Sequence, residues 1–471
     1  MNRLARLDHR YLWHPFTQMQ DWLKREPIII VEGKGAMLRD SRGREYLDAN
    51  SSIWTNLHGH NHPKINTAIQ RQLKKIAHSS ALGLANEPAS LLAEKLVRLT
   101  NSASKNPSRS KNAYPLSKVF FSDDGSTATE VALKLAYEHA RRSGRSKNPK
   151  FLSLEGAYHG DTVGAVSLGH IDLFHKKYSE LLFKTDKVAA PYCYRCPFNR
   201  AKPERADARE YRKCNWECLG KLEQKFEGQR KKASNYAAFV FEPLIQGAAG
   251  MVPQPPGWLQ KASEIARGHG ALLIADEVMT GFGRTSSLFA CARENVRPDF
   301  MALAKGLTGG YLPMAATLTT QEVFDSFLGR FDEFKTFFHG HSFTANQLGA
   351  AAALASLEIL VSRKSIESRE ALEKQLRREL RTLWSLANVG DIRQVGLVAG
   401  IELVKDWRTR QRFDIRDSVG VRVCEAMARR GVLTRPIGDV IVLMPPYCIS
   451  AEQLRRMVTA LKQAVIEILQ E

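Results

Sequence analysis

Residues 271–314 read ALLIADEVMTGFGRTSSLFACARENVRPDFMALAKGLTGGYLPM. The opening ALLIA is an uninterrupted apolar run, which predicts a strand buried on both faces of a sheet. That strand ends at two carboxylates, Asp276 and Glu277. Further along, Lys305 stands before GLTGG, whose glycines favour a tight turn. The stretch therefore predicts an α/β fold in which a buried strand delivers an acid and a glycine-rich turn delivers a lysine.

Asp276 and Lys305 are two groups that a pyridine-aldehyde cofactor requires. A lysine amine can form a Schiff base with the aldehyde, and an aspartate can keep the pyridinium nitrogen protonated so that the ring accepts electrons. Taken singly, Asp276 could instead cap the next helix, and Lys305 could be a solvated surface lysine. Both interpretations stay open on these residues alone.

A second strand-to-turn junction has the features of an anion site. Residues 119–121 predict a short buried strand that leads into SDDGSTATEVALKLAYEHARR. Gly125 permits a sharp turn, and Thr127 with Glu130 predicts a capping box for the helix that follows. The free amides and the dipole of a helix N-terminus favour a phosphate. The same pattern also fits an ordinary capped helix.

Two further predicted strands end in polar or aromatic residues. Residues 151–154 lead to Tyr158 and His159, and an aromatic ring at that place can stack on a planar cofactor. Residues 237–241 end at Glu242. Because ligands of α/β sheets bind at the carboxyl ends of the strands, we expect these side chains to lie near Asp276.

Two segments after the lysine contain candidate anion ligands. In residues 337–360 a turn rich in Gly, His and Ser precedes an Ala-rich helix, and Ser342 or Thr344 could donate to a phosphate. Capping of that helix is the alternative. Arg435 stands beside Pro436, and a guanidinium binds a carboxylate through two parallel hydrogen bonds. A surface arginine is the alternative.

The 471 residues, 44% of them hydrophobic, can bury a large core and suggest two or three domains. Short alternating runs between residues 28 and 48 predict a small antiparallel meander. We predict an N-terminal segment, 1–64, that contributes to a small domain. A large domain, 65–344, and a C-terminal α+β domain, 345–471, follow it.

The formal net charge of +20 could indicate a nucleic-acid partner. The basic residues are scattered or lie in loop-like stretches at 102–118, 140–150 and 229–232, and no nucleic-acid-binding motif accompanies them. We therefore predict a solvated basic surface and no nucleic-acid partner. No run approaches the roughly 20 apolar residues of a membrane span, and the N-terminus lacks the apolar core of a signal peptide. We expect a cytoplasmic protein without a membrane partner.

Two short-spaced cysteine pairs resemble a zinc clip: Cys193, Cys196, Cys214 and Cys218. The second pair has three intervening residues, and the connecting segment is charged and irregular. Seven cysteines in a chain of this length are typical of a reduced intracellular protein. We predict no metal site, with the zinc clip as the alternative.

The strings IADEVMTGFGRT and ALAKGLTGGYLPM resemble the signature of the class III aminotransferases, which depend on pyridoxal 5'-phosphate (PLP). LWHPFTQM, SSIWTNLHGHNHP, HGDTVGAVSLG, KTFFHGHSFTANQLG and LTRPIGDVIVLMPPY resemble the branch that makes 7,8-diaminononanoate in biotin biosynthesis. The resemblance implies the PLP-dependent transferase fold type I, in which a large, mostly parallel sheet domain carries a smaller α+β domain from both chain ends. It implies an amino donor and a keto-acid acceptor, 8-amino-7-oxononanoate, as substrates. It also implies a homodimer with shared active sites.

The resemblance assigns roles to matching positions. It implies three catalytic residues. Lys305 would hold PLP, Asp276 would pair with the pyridinium nitrogen of PLP, and Tyr158 would stack on its ring. The implied cofactor-binding residues are Gly125, Ser126, Tyr158, His159, Glu242, Asp276, Lys305, His341 and Ser342. Ser342 would reach the phosphate of the other subunit. The implied substrate-binding residues are Phe16, Ile53, Trp54, Tyr158, Lys305, Gly340 and Arg435.

Three positions depart from the family pattern. Asp124 places a carboxylate in the phosphate turn, and we expect it to point away from the phosphate. Phe16 stands where many members have Tyr, and Ile53 stands where many have Trp. A sulfonium cation binds well to aromatic faces, so the loss of one ring at Ile53 disfavours S-adenosylmethionine as donor. We expect lysine to be the better donor.

Other functions are compatible with parts of the sequence. The first alternative is another class III omega-aminotransferase, of the ornithine, 4-aminobutyrate or diamine type, or an aminomutase. A transcription regulator with an aminotransferase-like domain is the second. It would need a DNA-binding module, and the N-terminal segment is short and lacks a helix-turn-helix pattern.

Overall fold

The computed structural model describes residues 2–103, 114–232 and 235–470. Most of the predicted basic loop at 102–118, residues 104–113, lies outside this description. The strands are β1 Ile30–Lys34, β2 Met37–Asp40, β3 Glu45–Asp48, β4 Leu116–Ser122, β5 Lys150–Leu154, β6 Asp186–Val188, β7 Tyr236–Phe241, β8 Ile245–Gln246, β9 Val252–Pro253, β10 Leu272–Asp276, β11 Phe300–Leu303, β12 Ala315–Thr320, β13 Val389–Val395, β14 Val398–Leu403, β15 Val432–Leu433, β16 Pro436–Ile437 and β17 Val440–Leu443.

The α-helices are α1 Arg3–Tyr11, α2 Met19–Trp22, α3 Ser51–Trp54, α4 Pro63–Lys75, α5 Glu87–Ser102, α6 Gly125–Arg142, α7 Val163–Leu168, α8 Asp172–His175, α9 Ala208–Tyr211, α10 Glu217–Arg230, α11 Trp258–Gly268, α12 Ala290–Arg293, α13 Gln321–Asp325, α14 Gln347–Leu360, α15 Arg363–Leu380, α16 Val419–Arg429 and α17 Ala451–Leu469. Short 3-10 turns lie at Lys176–Leu181, Cys193–Arg195, Lys305–Thr308, Phe331–Glu333, Arg381–Ser385 and Ile415–Asp417.

A seven-stranded sheet in the order β4-β12-β11-β10-β7-β5-β6 forms the centre of the fold. All neighbouring pairs are parallel except those made by β12, which runs antiparallel to both β11 and β4. The four strands expected to end at functional residues, β4, β5, β7 and β10, therefore run in the same direction. The prediction that their carboxyl ends share one edge is confirmed.

Alternate side chains of the central strands enter two different cores, as the period of a strand requires. From β7 and β10, Ala238, Val240, Leu272 and Ile274 pack with residues of α6 on one face. Their neighbours Phe239, Phe241, Leu273 and Ala275 pack with α10 and α11 on the other. This two-sided burial explains why the ALLIA run carries no polar residue.

The two ends of the chain meet in a smaller sheet. The predicted N-terminal meander is present as β1, β2 and β3, and β15 adds to it in parallel with β3. A further four-stranded sheet has the order β13-β14-β17-β16. In this sheet β13 and β14 form an antiparallel hairpin. The domain division at residues 64 and 344 stays a prediction, and α14 packs against α4 and α5.

Candidate active site

A cavity of about 520 Å³ lies at the carboxyl ends of β5, β7 and β10. Its walls include eight of the predicted site residues: Trp54, Gly125, Ser126, Tyr158, His159, Glu242, Asp276 and Lys305. The sequence had placed these residues in separate segments, and the sheet brings them together because parallel strands present their carboxyl ends at one edge.

Asp276, the last residue of β10, is buried and paired with a histidine. His159 Nδ1 donates to Asp276 Oδ2 at 2.7 Å, and the Val278 amide donates to Oδ1 at 3.0 Å. Burial alone lowers the pKa of His159, but its hydrogen bond to Asp276 and that residue's charge outweigh burial, so the pKa is raised. The two hydrogen bonds fix the orientation of the Asp276 carboxylate, a group that can hold a protonated ring nitrogen.

Lys305 begins the 3-10 turn and has a left-handed backbone, with a φ of 41°. The glycines after it are needed because other residues lie against the turn. A Cβ at Gly306 would approach Leu57 Cδ1 to 2.9 Å, and one at Gly310 would collide with Asn56 Oδ1. The turn that presents the lysine is thus packed directly on residues 56–57.

The environment of Lys305 favours a neutral amine. Burial lowers the pKa of Lys305, although the carboxylates of Asp276 and Glu242 oppose this effect. Its Nζ lies 4.7 Å from the centre of the Trp54 ring. Because a deprotonated amine is the nucleophilic form, this environment prepares Lys305 for attack on a carbonyl.

Glu242 is a second buried carboxylate at the cavity. It accepts hydrogen bonds from the amides of Gly247, at 2.7 Å, and Tyr158, at 3.3 Å. Burial raises the pKa of Glu242 to about 7, against the lowering effect of His159. The β8–β9 hairpin that follows Glu242 contributes Ala248 to the cavity wall.

The N-terminus of α6 lies at the cavity, but its cap differs from the prediction. Asp124 is the N-cap, and its carboxylate accepts from the Thr127 amide at 2.9 Å. The capping box predicted for Thr127 and Glu130 is therefore wrong, because Glu130 accepts from the Gly164 amide at 2.8 Å. The Asp124 carboxylate is held by its own helix.

The free backbone amides in the first turn of α6 are suited to bind an anion. In the part of the chain that the structure describes, the Gly125 and Ser126 amides have no protein acceptor. Ser126 Oγ accepts from the Asp161 amide at 3.0 Å. Gly125 is required here because a Cβ would lie 2.6 Å from Val278 Cγ1. Two free amides at the start of an 18-residue helix can bind an anion such as a phosphate.

Tyr158 lines the cavity and belongs to a cluster of aromatic rings. Its hydroxyl donates to Asp161 Oδ2 at 2.6 Å, and its ring contacts that of Phe174 with the centres 6.2 Å apart. The Phe16 ring packs on the Phe174 ring, with centres 5.4 Å apart. Burial, followed by the hydrogen bond to Asp161, raises the pKa of Tyr158, so the phenol is neutral.

The other predicted residues are outside the cavity wall: Phe16, Ile53, Gly340, His341, Ser342 and Arg435. Ile53, Gly340, Ser342 and Arg435 are exposed. His341 Nδ1 donates at 2.7 Å to Oδ2 of Asp123, which does line the cavity. Their assigned roles stay predictions.

The structure also adds wall residues that the sequence reasoning missed. Val278, Met279 and Tyr311 line the cavity. Val278 and Met279 closely follow Asp276, and Tyr311 directly follows the glycine turn. The closeness of these wall residues in sequence to Asp276 and Lys305 could have indicated their place.

The cysteines at 193, 196, 214 and 218 are free. Across residues 2–103, 114–232 and 235–470, no group of three or more His, Cys, Asp or Glu side chains is arranged to hold a metal ion. This finding gives no support to the zinc-clip alternative. Within the same ranges, no helix combines the length and apolarity needed to cross a bilayer.

The cavity suits a flat, anionic cofactor with an aldehyde. It presents a lysine with a lowered pKa, an aspartate bonded to a histidine, the Tyr158 ring and a helix N-terminus around one space. His159 Nε2 is buried and has no hydrogen-bond partner among the described residues. Such an unpaired buried atom is costly unless a further group meets it. The donor set therefore fits PLP, which the family resemblance implies.

Comparisons with known proteins agree with this geometry. The sequence profile of the family Aminotransferase class-III matches residues 19–465. The chain is 47% identical over 458 residues to the adenosylmethionine-8-amino-7-oxononanoate aminotransferase of Geobacter sulfurreducens, covering 97% of this chain and 96% of that protein. It is 44% identical to the protein of that name from Aquifex aeolicus, covering 99% of this chain and 98% of that protein.

Solved structures show the same likeness. The crystal structure of the adenosylmethionine-8-amino-7-oxononanoate aminotransferase from Methanocaldococcus jannaschii matches with a TM-score of 0.88 and 40% identity, covering 98% of both chains. An amine transaminase from an uncultivated Pseudomonas species, in its PLP-bound form, matches with a TM-score of 0.86 and 31% identity, covering 97% of this chain and 98% of that one. The predicted fold type I architecture is confirmed.

Proposed function

Since this chain belongs to the class III aminotransferase family, we propose that it transfers an amino group from a donor amine to 8-amino-7-oxononanoate, giving 7,8-diaminononanoate. The observation that carries the chemistry is the meeting of Lys305 with the Asp276–His159 pair at one cavity. The choice of acceptor is supported by the names of relatives that are 44–47% identical over nearly the full chain.

We assign the cofactor contacts by chemistry. Lys305 would hold PLP covalently, Asp276 would hold the ring nitrogen, Tyr158 would cover the ring, and the amides of Gly125 and Ser126 would hold the phosphate. PLP supplies an electron-accepting ring when bound. The Lys305 amine would act as the base that takes the proton from the carbon that bears the donor's amino group. It returns a proton to the acceptor carbon in the second half of the reaction.

Purified protein loaded with PLP should convert 8-amino-7-oxononanoate to 7,8-diaminononanoate in the presence of a suitable donor, with product measured by mass spectrometry. The likeness to an amine transaminase supports a second candidate, a class III omega-aminotransferase that acts on other amines. Turnover of simple amines and ornithine, with no reaction of 8-amino-7-oxononanoate, would establish that second candidate instead.

The amino donor is a separate prediction. The relatives' names carry adenosylmethionine, whereas Ile53 here removes one aromatic face and Phe16 lacks a hydroxyl. We expect lysine to support faster product formation than S-adenosylmethionine at equal concentration. Competition between the two donors on the purified enzyme measures this preference. Efficient reaction with S-adenosylmethionine and none with lysine would contradict it and leave the acceptor assignment standing.

Arg435 is proposed to bind a substrate carboxylate. Arg435→Ala should raise KM for the carboxylate substrate by about 10- to 150-fold, the loss of a charge-assisted contact of about 1.5 to 3 kcal/mol. The cofactor contacts do not include this residue, so PLP content should not change. Arg422→Ala, which removes an exposed arginine of the neighbouring α16, is the matched control. An unchanged KM in a folded Arg435→Ala enzyme would make the residue an ordinary surface arginine.

An exposed apolar surface supports the homodimer. His78 Nε2 donates to the Ser342 carbonyl at 2.9 Å, so the chain around residue 78 lies beside the turn at 338–345. The exposed surface of these two segments includes Leu82, at 91% exposure, together with Phe338 and Phe343. Large exposed apolar side chains on neighbouring segments are typical of a surface that another protein covers. A second copy of the chain is the proposed cover, and it would bring Ser342 near the partner's phosphate site.

We expect a dimer in light-scattering measurements coupled to size-exclusion chromatography. Leu82→Arg should shift the protein toward monomer and reduce activity, because a charge would be buried in the contact. Ile415→Arg changes an equally exposed apolar residue, at 83% exposure, outside this surface and should leave the dimer intact. A fully active monomer of the unaltered protein would refute the prediction.

A further inference from the structure

The segment that carries Trp54 has an unusual backbone. Ser51, Ser52 and Trp54 all have positive φ values, of 48°, 61° and 69°. The four-residue helix α3 is interrupted by non-helical angles at Ser52 and Ile53. Each non-glycine residue in such a conformation costs about 1 kcal/mol or more, so surrounding contacts must hold the segment in place.

Asp48 supplies those contacts. Its side chain is 2% exposed. Its Oδ1 accepts from the Asn50 amide at 3.1 Å, and its Oδ2 accepts from the Ser52 amide at 2.8 Å. His60 Nε2 also donates to Oδ2, at 2.9 Å. One buried carboxylate thus bonds two amides of the strained segment.

Two further hydrogen bonds hold the same segment, one to the Trp54 ring and one to the C-terminal part of the chain. The Asn50 side chain accepts from Trp54 Nε1 at 2.9 Å. Ser51 Oγ donates to the Met444 carbonyl at 2.7 Å. The strained segment is therefore held by Asp48, at the end of β3, and by Met444, in the chain that follows β17.

Asp48 itself is held in a paired strand. Asp48 is the last residue of β3 and pairs with Leu433 of β15. A side chain anchored in a paired strand keeps its oxygens in one place, so the geometry of the segment does not depend on a mobile loop.

We propose that Asp48 is a positioning residue for the proposed reaction: its carboxylate holds the strained 50–54 segment so that the Trp54 ring remains in the cavity wall beside Lys305. Asp48 does not line the cavity and acts through Trp54. The predicted change in KM rests on the proposed function. The predicted effect on the Trp54 ring rests on the geometry alone.

The test compares Asp48→Asn with Asp40→Asn. Asp40 is also buried, at 3% exposure, and its Oδ1 accepts from the amides of Arg42 and Arg44 at 2.9 Å, but it is the last residue of β2 and does not line the cavity. Both variants should lower the melting temperature. Only Asp48→Asn should raise KM for the acceptor, by about tenfold or more, while kcat changes little.

A double-mutant cycle asks whether the effect passes through Trp54. In a Trp54→Ala background, Asp48→Asn should raise KM by no more than about twofold, because residues that act together are not additive. The full effect persisting in that background would overturn the proposal. If Asp48→Asn does not fold, Asn50→Ala removes the acceptor of Trp54 Nε1 and carries the same test.

A readout without substrate separates this proposal from the proposed function. The fluorescence of Trp54 is obtained by subtracting the emission of the same protein carrying Trp54→Phe from the emission of each protein. Its quenching by acrylamide should rise in Asp48→Asn and stay unchanged in Asp40→Asn. Equal quenching in the two variants would refute the positioning role even if the enzyme proved to use another acceptor. Increased quenching in Asp48→Asn alone would support it in either case.

Discussion

Lys305→Ala is expected to abolish transamination, by at least about 1000-fold, because the variant loses both the nucleophile that holds the cofactor and the base that moves the proton. Among the described residues that line the cavity, no other lysine is present. Lys305 is presented by a turn whose glycines, Gly306 and Gly310, are packed against residues 56–57. The amine also has the lowered pKa that a nucleophile requires.

Three measurements check this result. Turnover should be lost, the visible absorbance of protein-bound cofactor should change, and borohydride treatment followed by peptide mapping should no longer attach the cofactor to this peptide. Lys187→Ala, an exposed lysine on β6 of the same sheet, is the control and should leave all three unchanged. A Lys305→Ala protein that retained turnover and the reducible bond would show that another residue holds the cofactor.

Asp276→Asn is expected to lower kcat by about 100-fold or more, comparable to removing a preorganised electrostatic group from an active site. An amide cannot hold a protonated ring nitrogen by charge. The pKa of His159 should fall in this variant, because Asp276 contributes most, ahead of Glu242, to raising it against the effect of burial. Cofactor should still bind, since the lysine and the helix N-terminus remain.

The adjacent Glu277 provides a matched control. It is fully buried and accepts from the amides of Ala290, at 2.6 Å, and Cys291, at 2.8 Å. Burial raises the pKa of Glu277 to about 7. Glu277→Gln should lower the free energy of unfolding by about 1–3 kcal/mol with little change in kcat. If Asp276→Asn lost no more activity than Glu277→Gln, the electrostatic role of Asp276 would be wrong.

The strands and the functional residues at their ends were predictable because their signals are local. An apolar run that ends in a charge predicts a buried strand and its exit, and β5, β7 and β10 each begin and end within one residue of the prediction. Parallel strands then bring Tyr158, Glu242 and Asp276 to one edge without further information.

Side-chain partners were less predictable because they depend on residues distant in sequence. The helix cap was assigned to Thr127 and Glu130 by spacing, yet the chain folds so that Glu130 meets the amide of Gly164. Asp124 then caps α6. A capping pattern in sequence does not reveal that a second helix start lies close enough to compete for the same carboxylate.

By itself the sequence determined the sheet, the glycine turn and the identity of Asp276 and Lys305, since strand periodicity, glycine content and the long family strings are properties of contiguous residues. Only the tertiary structure decided that His159 pairs with Asp276, that Asp48 holds the strained segment of Trp54, and that Arg435 is exposed in the single chain. The first two are contacts between segments far apart in sequence, and the third is the exposure of one side chain in the folded structure. Their geometry is set by packing, which a local pattern does not encode.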